Sequence, residues 1–373
     1  MQIRVLRTAG EIRAAAPAWD ALWARSEVLV PTARAEFVAL WLERFAPDQP
    51  TAAVLVEHQG RAVAALPLVE QRWSRFVQAG GLPTNPWASH GDLLLDPTAG
   101  PEAIDALVTA VGRDTPWPLF HFNPIALETP RWQAFAAAAG QAGWSLHQQA
   151  RWRTGVVRIA GSWADYEASL GREHRRNRKR NAQTLDKAGG GQFELRTEFT
   201  ASEAAALVRE GFEVEDRSWK GAAGSSVLRS SGMLEFFTRS ALTAVDAGCL
   251  ELAFLRHAGQ PIAFAYGWRA KETHFLPKVG YDENYKQFGP GQLLVMRWLE
   301  ALFASGEPQT LDFWGELAPW TESWSNDSYA VGRIVAAGPS PLGRSLVYAY
   351  ENWRPRLKKL RDYLRGEKTA AQG

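Results

Sequence analysis

Apolar and polar positions divide the chain into alternating helical and strand-like stretches. Over Glu11 to Trp23 and Ala35 to Phe45 the apolar side chains (Trp19, Leu22, Trp23; Phe37, Leu40, Trp41, Phe45) recur at helical spacing, with Asp20 and Glu43 on the other side. Two helices are expected first. Ala52 to Glu57 and Ala62 to Val69 are apolar runs joined by His58-Gln59-Gly60-Arg61, which predicts a β-hairpin. Further along, Asp92 to Leu95, Leu119 to Asn123 and Gly155 to Ile159 read as strands, and Pro101 to Val111 and Arg131 to Ala142 as helices. Ser162 is a fitting cap for a helix at Trp163-Ala164-Asp165-Tyr166. A second hairpin is expected at Leu250 to Arg256, His257-Ala258-Gly259-Gln260 and Ile262 to Trp268.

The most informative stretch runs from His274 to Glu300, HFLPKVGYDENYKQFGPGQLLVMRWLE. It predicts a strand to Val279, a polar break at Asp282, Glu283 and Asn284, a tight turn at Gly289-Pro290-Gly291, and a helix carrying Leu293, Leu294, Met296 and Leu299. Backbone N–H groups at such a helix start have no helical acceptor, and the helix dipole favours an anion there. The turn is therefore either a phosphate-binding loop or a connection with no ligand.

His-x-Gly-x-x-(Val/Ile)-Ala occurs at both His58 and His257, each copy lying between upstream helices and a downstream strand, loop and helix. That repeat predicts two α/β halves with a boundary between Ala150 and Ser162. Pro341 to Arg365 places Leu346, Tyr350, Trp353, Leu357, Leu360 and Leu364 on one helical face, with a kink expected at Pro355. Arg354, Arg356, Lys358, Lys359, Arg361 and Arg365 line the other side, so this amphipathic helix either docks on the protein or makes peripheral membrane or partner contact.

Composition narrows the choice of partner. The 373 residues are 46% apolar, enough for a large core, and a net charge of +2 gives no global field toward nucleic acid. Positive charge is instead local: Arg172, His174, Arg175, Arg176, Arg178, Lys179, Arg180 and Lys187 face only Glu173 and Asp186 as nearby acids. A solvated helix is one reading; a phosphorylated or polyanionic partner, tRNA or a membrane surface is the other. The single cysteine, Cys249, excludes an internal disulfide and precedes an apolar run, so it is expected to be a buried thiol. No HExxH motif, hydrolytic triad order or metal-spaced His/Cys cluster occurs, and no metal is expected. Without a signal-peptide core or an apolar run of about 20 residues, the chain reads as cytoplasmic.

The second half resembles the GNAT acyltransferase superfamily, specifically its CelD-like, cellulose-biosynthesis-associated branch, which is related to the FemAB-type transferases. Four features carry the resemblance: the Ser162 to Asn181 segment; Asp216-Arg217-Ser218-Trp219-Lys220-Gly221; Lys286-Gln287-Phe288-Gly289-Pro290-Gly291; and Leu311-Asp312-Phe313-Trp314-Gly315-Glu316. In the superfamily an (Arg/Gln)-x-x-Gly-x-(Gly/Ala) loop holds the pyrophosphate of acyl-CoA; here Lys286 stands at its first position. The Tyr-Lys usual in the family after the Gly-acid pair is replaced by Pro319-Trp320.

The resemblance implies an α/β (α+β) fold of tandem GNAT-like domains, each a mixed, mostly antiparallel sheet flanked by helices. A degenerate copy would span residues 1–155, the acyltransferase domain 156–340, and a C-terminal helix and tail 341–373. It also implies acetyl-CoA or another acyl-CoA as donor, bound by Lys286, Gln287, Phe288, Gly289, Gly291 and Gln292. Pro290 lacks an N–H and reduces the donors available there.

Acyl transfer needs a base and a polarised carbonyl. Asp282 and Glu316 are the candidate bases, each following a strand, and Tyr285 is a candidate donor to the leaving thiolate. Trp219, Lys220, Tyr281, Asp312, Trp314 and Arg176 are candidate substrate-binding residues. For Asp312, Tyr281 and Tyr285 a structural role remains equally open or is the default. The expected activity is N- or O-acylation of a small-molecule or saccharide acceptor by direct attack, in polysaccharide or envelope metabolism. The alternatives are a FemAB-like transferase using aminoacyl-tRNA and a non-catalytic polyanion- or partner-binding module in envelope assembly.

Overall fold

The computed structural model describes residues 1–72 and 77–352. They form two compact units, one of Met1–Val28, Thr32–Arg151 and the segment from Ala330 onward, the other of Leu29–Pro31 and Trp152–Tyr329. Apart from the short Leu29–Pro31 segment, the chain passes between them within two long strands, Ser145–Ile159 and Asp327–Ala337.

In the first unit, strands Gln2–Leu6, Ala53–His58, Arg61–Leu66 and Leu94–Leu95 form an antiparallel sheet. A second group joins Val69–Arg72 to Gln78–Gly81, then to Phe120–Ala126, which pairs with the Ala330–Ala337 part of the last strand. Helices Pro101–Asp114 and Pro130–Gln141 close a core around Trp132, Phe135, Phe120 and Phe122.

The second unit carries the strand order Trp152–Ile159, Gln309–Asp312, Thr273–Tyr281, Gln260–Ala270, Leu250–His257, Gln192–Arg196. Every pairing is antiparallel except that of Thr273–Tyr281 with Gln309–Asp312. Both faces are covered, which is why Leu252 to Leu255 is a continuous apolar run rather than an alternating one. Ala253, Leu255, Ala263 and Ala265 face helix Pro290–Ala304. Phe264 and Tyr266 point the other way, to Phe212 and Phe237 of helices Ala201–Asp216 and Met233–Asp246.

The two hairpins match in detail. Gln59 and Gly60 have φ of 50° and 76°, Ala258 and Gly259 of 47° and 78°, the paired positive values of a I′-type turn. Each has a register shift at the same place, between Val56 and Glu57 and between Leu255 and Arg256. Cys249 is buried, and Ser162 caps its helix by accepting the Asp165 N–H.

Several boundaries differ from the sequence reading. Glu11 to Trp23 is two helices, Ala9–Ala14 and Ala16–Arg25, divided where Pro17 opens the second. The expected strands at Asp92, Leu119 and Gly155 are Leu94–Leu95, Phe120–Ala126 and the end of Ser145–Ile159. Strands Gln2–Leu6, Gln78–Gly81 and Gln192–Arg196 have too little periodic signal to be anticipated. The C-terminal segment is helical over Pro341–Asn352; Trp353 to Arg365 with the expected Pro355 kink, and the tail after it, lie outside the described residues.

Candidate active site

The parallel pair in the second unit is short. Thr273, His274 and Phe275 pair with Thr310, Leu311 and Asp312, and there the contact ends. Strand Thr273–Tyr281 continues for six residues, held on its other side by Gln260–Ala270. The partner chain turns away: the Phe313 N–H bonds Gly155 O at 3.3 Å and the Leu317 N–H bonds Arg153 O at 2.8 Å. A wedge opens between the two strands, and one edge of Leu276 to Tyr281 is left without a strand partner among the described residues.

The turn that opens it is local. Trp314 adopts φ 48°, a left-handed conformation costly for a side chain of this size, and its N–H is accepted by Asp312 Oδ1 at 2.7 Å. Its ring packs edge-on against Phe275 across the wedge, with centroids 5.4 Å apart. The second oxygen of Asp312 accepts the Tyr329 hydroxyl at 3.0 Å. Asp312 is buried, and burial pushes its carboxyl up to about 6, against the pull of the Trp314 and Tyr329 hydrogen bonds.

The closed end of the wedge is fixed by a buried polar chain. His274 Nδ1 lies 2.8 Å from Glu251 Oε2 and Nε2 lies 2.5 Å from Gln309 Oε1, whose amide donates to Ser305.

Beyond the open end, Glu283–Phe288 forms a 3₁₀ turn, Gly289 takes φ 59°, and helix Pro290–Ala304 begins. The sequence reading overstates its free donors. The Gly289 N–H bonds Lys286 O, the Gln292 N–H bonds Gly289 O and Pro290 has none, so the first turn offers the Gly291 N–H. Gly291 sits against Tyr281 and Val279 at the strand end. Of the other loop candidates, Phe288 is buried in the core, Gln292 Oε1 accepts the Trp324 indole N–H at 2.7 Å, and Gln287 is exposed. Lys286 is exposed too, with Glu283 at 3.5 Å.

The candidate bases separate. Asp282 is buried, with one oxygen on Arg217 Nε at 2.6 Å and the other capping the Asn284 N–H at 3.0 Å. Its geometry is that of a structural ion pair, and proton abstraction would require breaking it. Glu316 lies exposed in the loop, four residues past the end of strand Gln309–Asp312. Tyr285 packs against His257 and Phe288, in the role of an aromatic anchor. Tyr281 faces the Gly291 turn, and burial with neighbouring Glu283 raises its hydroxyl.

On the opposite face of the sheet, Trp219 is 62% exposed. Lys220 Nζ pairs with Glu215 Oε1 at 2.8 Å, and Glu215 also accepts the Val227 N–H. Lys278 stands close to this pair, its ammonium 5.2 Å from the Phe237 ring centre. Burial is the largest influence on Lys278 and pushes it down to about 8. Sequence reasoning passed over it, although a lysine inside an apolar strand was a usable signal.

The basic run forms helix Arg172–Lys187. A Cβ on Gly289 would collide with Asn181 Nδ2, so the inner face of this helix lies on the turn. Arg176, five residues before Asn181, is exposed and faces away from the turn, which removes it from the wedge. Arg178 faces inward. Its guanidinium lies 4.5 Å over Trp324 and 3.7 Å from Glu167 Oε1, and its nitrogens are buried without a hydrogen-bond partner. His174 meets the same ring, and burial pushes it down to about 4. Among the described residues no group of His, Cys, Asp and Glu is arranged to hold a metal ion, and no helix is long and apolar enough to cross a membrane.

Comparison with known proteins agrees with this architecture. Solved structures share the fold: FemX (11% identity, covering 92% of this chain and 98% of FemX, TM-score 0.59) and a conserved protein of unknown function from Bacteroides thetaiotaomicron (10%, 90% and 100%, 0.54). A third is the C-terminal domain of an Agrobacterium fabrum protein assigned as a lysylphosphatidylglycerol synthetase (12%, 90% and 95%, 0.53). At these identities the likeness is one of fold. No curated protein sequence matches the chain. The family model described as "Acetyltransferase (GNAT) domain" matches residues 172–322, the segment that holds the wedge, the basic helix and the Gly289 turn. That segment is similar to the acetyltransferases of the GNAT superfamily.

Proposed function

We propose that the second unit transfers an acetyl or longer acyl group from acyl-CoA to an amine or hydroxyl of a small-molecule or saccharide acceptor, by direct attack. The observation that carries this reading is the wedge that ends at Asp312. A thioester lying along the unpaired edge of Leu276 to Tyr281 would have the Gly291 N–H and the helix start near its phosphates and Asp312 near its carbonyl carbon. Asp312, buried and with its carboxyl near neutrality, is the base in this scheme in place of Asp282 or Glu316. It takes the acceptor's proton as the acceptor attacks. Trp219 and Lys220 stand on the face from which an acceptor would enter. A role in polysaccharide or envelope metabolism belongs to the same proposal.

One observation favours a second donor. Arg172, Arg176, Lys179 and Lys187 form an exposed stripe along the basic helix, and among the described residues none pairs with an acid. With only one free N–H in the first helix turn, such a stripe suits an aminoacyl-tRNA donor. Thermal shift with acetyl-CoA, longer acyl-CoAs and charged tRNA separates the two. Stabilisation by acyl-CoA supports the first reading; binding of charged tRNA with a steep salt dependence, and none of acyl-CoA, overturns it.

A further inference from the structure

We propose that Lys278 is a second catalytic residue, the acid that protonates the departing thiolate. This rests on the acyl-thioester reading above. Lys278 lies on the strand that forms one lip of the wedge, opposite Tyr266 in register, with its ammonium against Phe237. Asp312 ends the other lip, opposite Phe275, and the Trp314 ring meets Phe275 there. Tyr266 packs on Phe237 and on Trp268, the register partner of Phe275, so Lys278 and Asp312 project to the same face of the sheet.

Lys278 is three residues beyond the last paired position, about 10 Å along the strand. That leaves room for a thioester and an attacking atom between a carboxylate at the apex and an ammonium further out. The ammonium is held by its surroundings. Glu215 approaches from helix Ala201–Asp216 and Lys220 from helix Trp219–Ala222, while helix Met233–Asp246 presents Phe237 and the neighbouring strand Tyr266, whose hydroxyl is bonded to Ser240. Gly280 lets the end of the glutamate helix come this close, since a Cβ there would lie 3.1 Å from Glu215 Cα.

In the step so assigned, the acceptor N or O bonds to the carbonyl carbon while Asp312 takes its proton. The C–S bond then breaks with its electron pair going to sulfur, and Lys278 gives a proton to that sulfur. Solvent restores both groups, and the net change moves one proton from acceptor to thiol. An acid near 8 and a base near 6 divide the two roles at neutral pH.

The test compares wild type with Lys278→Met and Lys278→Arg, after calorimetry establishes acyl-CoA binding by wild type. Lys278→Met is expected to lower kcat about 100-fold with acyl-CoA affinity within about twofold, and to lose the alkaline limb of the pH profile. A thioester of a more acidic thiol should recover most of the rate in Lys278→Met, and Lys278→Arg should keep an intermediate rate. Unchanged kcat, or a loss that the better leaving group does not relieve, overturns the role of Lys278. A wild type that binds no acyl-CoA overturns the donor reading, and this role with it.

Discussion

Asp312 accepts the backbone N–H of Trp314 at 2.7 Å, two residues along the chain, while Trp314 is held at φ 48°. One carboxylate therefore both stabilises the turn that parts the two parallel strands and stands at the point where they part. A side chain with only the first duty would be replaceable by any short acceptor. A base has to titrate as well.

Asp312→Asn keeps an oxygen for the Trp314 N–H and removes the titration. We expect kcat to fall about 100-fold or more. In wild type, kcat should rise with pH through about 6, since the base acts unprotonated, and fall again above about 8 as Lys278 loses its proton. Stability runs the opposite way. A carboxyl raised from 3.8 to about 6 on folding contributes stability below the lower value and loses it as pH passes the upper one. Above pH 7 the Asn variant should therefore gain on wild type by up to roughly 3 kcal/mol, with no such gain below pH 4, as read by urea denaturation.

Trp314→Gly and Trp314→Ala both lose the Phe275 contact, but only Ala keeps the cost of positive φ. The Gly variant should be more stable than the Ala variant by about 1 kcal/mol in paired denaturation curves.

Gly291→Ala should fold normally, because its Cβ meets Tyr281 and Val279 at 3.5 and 3.9 Å, ordinary contact distances. Gly291→Asp fits the same space but sets a negative charge where phosphates would lie. It should fold and lose acyl-CoA affinity at least tenfold, an order-of-magnitude expectation for an uncompensated charge at the anion site. Equal affinity in both variants would remove the turn from the site.

Glu251→Ala leaves His274 buried without its carboxylate partner at the closed end of the wedge. The expected cost is about 3 to 5 kcal/mol in chemical denaturation. Acyl-CoA affinity, measured where the variant is still folded, should remain near that of wild type.

What the sequence made legible was local. The Gly289-Pro290-Gly291 turn and the hairpins at His58 and His257 depend on residues a few positions apart, and their φ values follow from glycine and its neighbour. The site depends on residues far apart. Asp282 read as a base because its partner Arg217 lies 65 residues upstream, and Asp312 read ambiguously because Tyr329 follows 17 residues later. Within the basic run nothing marks Arg178 as the residue turned inward onto Trp324, since all its neighbours carry the same charge. Helical phase told Arg178 from Arg176 only after Asn181 was fixed against Gly289.

The central claim is that the acyl donor occupies the wedge along the unpaired edge of Leu276 to Tyr281. Hydrogen exchange over residues 276–281, with and without saturating acetyl-CoA, tests it most directly. The account predicts that exchange there slows at least tenfold, by the order of magnitude expected when exposed strand amides gain a partner, while the hairpin at His257 is unchanged. Bound acetyl-CoA that leaves exchange in 276–281 unaltered would contradict it.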